Sequence, residues 1–223
     1  MPPLRAPPNP RRKRLGKSRG RKSSTRDGPK MKILAVDTAT KTCSVALAED
    51  SEIVVAHTAR YAQTHARHVM TMIDGIVQAA EITMEDVDGF AVTVGPGSFT
   101  GLRIGISTVK AMAMAMKKPV AGVSALEALA AQFFAATELI CPLIDARKGE
   151  VYAGTYRWRA DGCEPVFPAA VVSPEEAVSG IDGPCLLMGI GAALYRERIA
   201  ACLCEWARFA PPVFNQVRAS MVA

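Results

Sequence analysis

A chain of 223 residues with 49% hydrophobic and 22% charged side chains has an ordinary globular make-up, with room for one large domain or two small ones. No apolar run approaches the ~20 residues of a membrane-spanning helix, so no membrane association is expected. The formal charge of +6 suggests nucleic-acid binding until it is located: residues 1–30 hold eleven Lys/Arg against the single acid Asp27, and the remainder is mildly acidic.

Residues 1–30 also contain six of the fifteen prolines and few large apolar side chains. Such a segment buries too little surface to offset its ordering entropy, so it is expected to be a disordered basic tail, or sequence preceding a true start at Met31. It lacks the apolar stretch of a secretory signal. A basic arm of this kind is able to touch RNA through phosphates. The six cysteines are scattered, with no paired zinc-type spacing, which favours a reducing, cytoplasmic setting.

From residue 31 the pattern is regular. Ile33–Val36 is a short apolar strand ending at Asp37; the polar turn 38–42 leads to a strand from Cys43 to Ala48 and a third from Ile53 to Thr58. From Thr64 the period changes: Val69, Met72, Ile73, Ile76, Val77 and Ala80 form the stripe of an amphipathic helix. Val87–Val94 reads as a strand, followed by Gly95-Pro96-Gly97-Ser98-Phe99-Thr100-Gly101 and a helix over about 102–117. A strand at 119–123 and a helix from Ser124 to about Ala136 close this first stretch.

The plan then repeats. Leu139–Ile144 is an apolar strand ending at Asp145, followed by a polar turn and a strand from Val151 to Trp158. The acid-Gly turn, apolar strand and Gly-x-Gly of 87–97 recur at 181–191, ending in Gly189-Ile190-Gly191. Two echoes in the same order predict a duplication, with halves at 31–136 and 137–223. The fold class expected is α/β: a duplicated actin-like, ribonuclease-H-like fold of two mixed sheets with flanking helices. This resembles the actin/hexokinase/Hsp70 (ASKHA) superfamily, whose two Asp hairpins face a nucleotide cleft. That likeness points to Asp37, Thr38, Gly95, Gly97, Asp145, Gly189 and Gly191 as a vestigial nucleotide cleft.

A narrower likeness is carried by Met31-Lys32-Ile33-Leu34-Ala35-Val36-Asp37-Thr38-Ala39-Thr40, by Gly95 through Ile106, by Val123-Ser124-Ala125-Leu126, and by Ile144 through Tyr152. These segments resemble the TsaB (YeaZ) family over residues 31 to about 195. The resemblance implies a non-catalytic scaffold subunit for making N6-threonylcarbamoyladenosine (t6A) at adenosine 37 of tRNAs reading ANN codons. It implies TsaD as the partner that carries the metal and transfers the group, the small ATPase TsaE as a third subunit, tRNA met through the complex, and a homodimer when the chain is alone. The family continues through a closing helix with a Tyr-Leu-Arg-like signature. Here Asn215–Ala223 reads as the start of a helix that stops short, so a C-terminal truncation is expected.

Two other chemistries compete with the scaffold. An ATP-using kinase or phosphatase is disfavoured because Thr38-Ala39-Thr40 replaces the glycine-rich turn that folds over phosphates; ATP and Mg²⁺ are expected to bind weakly if at all, and no cofactor tightly. A metallopeptidase of the glycoprotease kind is disfavoured because His65 and His68 are one residue short of a His-x-x-x-His pair and lack a nearby carboxylate. Neither catalytic nor metal-binding residues are expected. Gly101, Gly105, Thr108 and Met112 form a small-residue face on the second helix, which with Val69, Met72, Ile73 and Ile76 is expected to meet a partner in a four-helix bundle formed by helices 64–80 and 102–117. On this expectation Gly105→Leu or Thr108→Arg abolishes the complex and leaves the fold intact.

Overall fold

A computed structural model describes residues 30–60, 65–159 and 162–223. The basic stretch 1–29 lies outside them. Two five-stranded sheets form the frame.

In the first, β1 (Lys32–Asp37), β2 (Thr42–Glu49) and β3 (Glu52–Arg60) form an antiparallel meander. β4 (Gly89–Gly95) and β5 (Val120–Ser124) extend it in parallel on the other side of β1, giving the order β3-β2-β1-β4-β5. Strand alternation sorts the side chains into two faces. One face carries Leu34, Val36, Val45, Leu47, Phe90 and Val92, and two helices cover it. These are α1 (Val69–Ala79), preceded by a 3-10 turn at 65–67, and α2 (Phe99–Met116). The opposite face is lined by small residues, Ala35, Ala46 and Ala91 among them, so α3 (Ala125–Ala130) sits close.

The second sheet repeats the scheme. β6 (Leu139–Arg147), β7 (Glu150–Arg159) and β8 (Gly162–Val172) form the meander, and β9 (Cys185–Met188) and β10 (Ala207–Phe209) run parallel beside β6. Two short helices, α4 (Ile190–Leu194) and α5 (Arg196–Leu203), fill the interval between β9 and β10. β1 corresponds to β6 and β4 to β9, which is the duplicated actin-like arrangement the two sequence echoes predict.

The sheets share a core. Ala35, Ala46 and Ala91 from the first and Ile140, Ile144 and Met188 from the second join one buried cluster through Leu126 and Leu129 of α3. The Trp158 indole N–H donates to the Ala130 carbonyl at 3.2 Å, tying β7 to that helix. The last residues return to the first sheet, where the Ala219 N–H donates to the Ser44 hydroxyl at 3.0 Å and Val217 and Val222 are buried.

Four expectations are corrected. α2 starts at Phe99 rather than 102, because the Ser98 side chain caps it by accepting from the Gly101 N–H. α3 ends at Ala130 and tightens into a 3-10 turn over Ala131–Phe133, short of Ala136. No α-helix begins at Asn215; 3-10 turns occupy Pro212–Phe214 and Ala219–Met221. β8 has no counterpart among the strands the sequence predicts: it is an edge strand, exposed along most of its length and containing Pro165 and Pro168, so it lacks the apolar alternation of a half-buried strand.

Candidate functional site

Both Asp hairpins close in the same way. The Asp37 Oδ1 accepts the Ala39 N–H at 3.1 Å, and the Asp145 Oδ1 accepts the Arg147 N–H at 3.0 Å. These side-chain-to-backbone turns are a local habit of aspartate and hold each tip in shape without a ligand. The environments then diverge. Asp37 is fully buried and its Oδ1 also accepts from the Thr93 hydroxyl at 2.7 Å. Asp145 is partly exposed, with the Arg147 guanidinium 3.9 Å away.

The glycine segment is folded onto the first hairpin. Gly95 has φ +125°, a region that glycine occupies without penalty. The Ser98 N–H donates to the Ala39 carbonyl at 2.7 Å. The Thr38 hydroxyl donates to the Gly101 carbonyl at 2.8 Å, one turn into α2. A Cβ at Gly97 would lie nearer than 3.0 Å to the Ala39 carbonyl oxygen, one at Gly101 equally near the Thr38 carbonyl oxygen, and one at Gly105 equally near the Thr38 hydroxyl. Thr38 itself is fully buried. The glycines of this segment therefore make room for the Asp37 hairpin, and the Ser98 N–H of the loop is bonded to Ala39.

The second glycine pair is used similarly. Gly189, at φ +95°, packs so closely on β6 that a Cβ would lie nearer than 3.0 Å to the Leu143 carbonyl oxygen, and its N–H donates to the Asn215 side chain at 2.9 Å. Gly191 rests on the same residue. At each loop a glycine packs directly on the chain's own backbone, Gly97 on the Ala39 carbonyl and Gly189 on the Leu143 carbonyl.

The expected partner face is corrected as well. Val69, Met72, Ile73 and Ile76 are between 1% and 3% exposed and pack on Leu34, Val36 and Leu47. Their spacing identifies a buried stripe, and the sheet of the same chain buries it. Gly101 and Gly105 are likewise buried, under Thr38, so Gly105→Leu collides with the hairpin and does not leave the fold intact. Met112 is partly buried against the same core, and Thr108 is partly buried. What the two helices turn outward is different: Met70 is 45% exposed, Phe99 72% and Met114 77%. The Arg103 guanidinium lies 4.8 Å over the Phe99 ring.

Two residues outside the expected set support the loops: Thr93 holds Asp37, and Asn215 serves Gly189. Thr93 had a signal, being the polar residue inside the apolar run 92–94. Asn215 had none, since its partner is 26 positions away. The side chain of His65 lies outside the described residues. Among the described residues, no group of three or more His, Cys, Asp or Glu side chains is placed to hold a metal ion.

All six cysteines are free. Burial, with the Asp37 carboxylate adding, pushes the Cys43 thiol up to about 12, so it remains a protonated core side chain. Cys185 is pushed well above the ordinary thiol range, first by its hydrogen bond with Cys141 and then by burial. No helix among the described residues is long and apolar enough to cross a membrane.

Comparison with known proteins agrees with this geometry. A family model described as TsaD, tRNA N6-adenosine threonylcarbamoyltransferase, matches residues 53–216. The tRNA threonylcarbamoyladenosine biosynthesis protein TsaB of Bacillus subtilis is 31% identical over 172 residues, covering 76% of this chain and 75% of the relative. The TsaB protein of Escherichia coli is 35% identical over 170 residues, covering 72% of each. The structure of YeaZ from Pseudomonas aeruginosa superposes with a TM-score of 0.74 at 30% identity, over 86% of this chain and 88% of that one. Similarity of this extent in both sequence and fold establishes that the chain belongs to the TsaB (YeaZ) family.

Proposed function

We propose that this chain is the non-catalytic partner subunit for threonylcarbamoylation of adenosine 37 in tRNA, acting with a TsaD-type transferase. Its family membership supports the pathway, and one observation carries the role: the Thr38 hairpin is docked on Gly101 and Gly105, so the inherited phosphate approach is filled by protein. A subunit built this way contributes surface rather than chemistry, and it has no tightly bound cofactor of its own. Weak binding of ATP at most is expected, and the metal belongs to the partner.

The partner surface we propose is the outward side of α1 and α2, centred on Met70 and Phe99. Exposed apolar side chains on two helices that cover the same sheet face favour burial by another protein, and aromatic and methionine side chains are enriched at interfaces. Thr108 and Met112 are partly buried on the same helix. The same surface is available for a homodimer when the transferase subunit is absent. Contact with TsaE, and with tRNA through the assembled complex, belongs to the proposal too, as does a division of the chain into a tail at 1–30 and halves at 31–136 and 137–223.

The test is depletion of the gene followed by measurement of t6A in bulk tRNA. Loss of the modified nucleoside, restored by the wild-type chain and not by Met70→Arg with Phe99→Asp, supports the reading. Unchanged t6A on depletion contradicts it.

A further inference from the structure

The first sheet ends in an edge that nothing among the described residues pairs with, and beside that edge lies an apolar slot. β5 closes the order β3-β2-β1-β4-β5, and its first three residues are exposed. The slot, about 400 Å³, runs between β5 and α2; its walls include Val94, Ile106, Met114 and Val120, and Lys110 and Lys118 stand at its rim. Val94 is 53% exposed and Val120 41%, so the apolar walls are open to solvent. Gly122 also lines it, and a Cβ there would stand 2.8 Å from Val94 Cγ1, so the missing side chain keeps the slot open.

The backbone of β5 is oriented for pairing. The Phe90 N–H donates to the Pro119 carbonyl at 3.0 Å, and β4 and β5 are parallel with Phe90 opposite Val120 and Val92 opposite Gly122. Backbone polar groups alternate sides along a strand, so those of Val120 and Gly122 point to the free edge. The same two residues line the slot. A strand added here would gain main-chain hydrogen bonds and place every second side chain over apolar wall.

Charge decides what fits. Lys118 is 4.0 Å from Asp88, and Lys110 has no ion pair among the described residues. Pairing β5 with β5 of a second copy would bring two such lysine sets together, which like charge opposes. The chain's own residues 1–30, with eleven Lys/Arg and one acid, carry the wrong sign as well. We infer that the β5 edge and the slot between β5 and α2 receive an extended segment of another protein, alternating apolar and acidic residues, by strand addition. The lysines that discourage self-pairing also select the acidic partner. The slot lies on the β5 side of α2, where Met114 is also one of that helix's outward side chains; Met70 and Phe99 do not line it, and its test does not depend on tRNA modification.

Fluorescence anisotropy at low ionic strength tests it, using the full chain and a labelled peptide of alternating valine and glutamate. Saturable binding is expected, weakened about tenfold by Lys110→Glu with Lys118→Glu, because two rim pairs change from attraction to repulsion. That variant is expected to bind the valine–lysine counterpart better than the wild type does. N-methylation of alternate peptide amides is expected to abolish binding, since strand addition needs those donors. Absence of saturable binding, or equal binding by the charge-reversed variant, overturns the acidic partner; indifference to N-methylation overturns strand addition. A dimer that Val120→Arg converts to monomer assigns the slot to a second copy. Tighter binding after removal of residues 1–30 assigns it to the chain's own tail. Either result overturns the inference.

Discussion

The Thr38 hydroxyl donates to the Gly101 carbonyl at 2.8 Å, while the Thr38 carbonyl oxygen occupies the place a Cβ on Gly101 would need. One residue of the first hairpin thus both bonds to α2 and excludes side chains from it. Gly101→Ala is expected to lower stability by about 1–3 kcal/mol, because the obstacle is backbone and has nowhere to move. Thermal or urea unfolding of the purified variant measures this. An unchanged midpoint would mean that the hairpin is not seated on the helix.

Thr93 and Thr38 act on the same hairpin from two sides. Replacing Thr93 by valine removes the 2.7 Å hydrogen bond to the buried Asp37 carboxylate. Hydrogen bonds to a charged group contribute about 1.5–3 kcal/mol, and the loss should appear as a lower urea midpoint with an unchanged slope.

The two sides of α1 should respond differently. Ile73→Ala opens a cavity in the core and is expected to cost about 2–5 kcal/mol, whatever partner is present. Met70→Arg changes an exposed side chain and should leave the unfolding midpoint within about 0.5 kcal/mol of wild type. It is expected to weaken co-elution with a TsaD-type subunit in gel filtration. Equal co-elution by Met70→Arg combined with Phe99→Asp would remove the proposed helix face.

Cys43 makes stability depend on alkaline pH. Its thiol is raised from 9.0 to about 12 in the folded chain, so the folded state holds its proton where the unfolded chain has released it. The resulting stabilisation is complete below pH 9 and is lost as pH rises from about 9 toward 12. The expected slope is about 1.4 kcal/mol per pH unit in that window. Urea unfolding at pH 8 and pH 10.5 should show the loss in wild type and a smaller one in Cys43→Val.

Much of this architecture can be read from the amino-acid order, for identifiable reasons. Strands ending at Asp37 and Asp145 and the echoed Gly-x-Gly are local signals, and local hydrogen bonds at both hairpins account for them. What fills a surface is not local. The small residues at 101 and 105 show that something approaches α2 closely, but their i, i+4 spacing is the same for a partner helix and for the chain's own Thr38. The stripe Val69, Met72, Ile73 and Ile76 likewise marks burial without naming the occupant. β10 is only three residues long, too short for periodicity to register, and the Asn215 contact with Gly189 depends on chain closure.

The most direct test of assembly over chemistry is complementation of a depleted strain with two variants, reading t6A in tRNA by nucleoside mass spectrometry. Asp145→Asn removes the charge of the more exposed cleft carboxylate while keeping an oxygen for the Arg147 N–H. The account predicts full t6A with Asp145→Asn and severe loss with Met70→Arg combined with Phe99→Asp. Loss with Asp145→Asn and retention with the helix-face variant would contradict it.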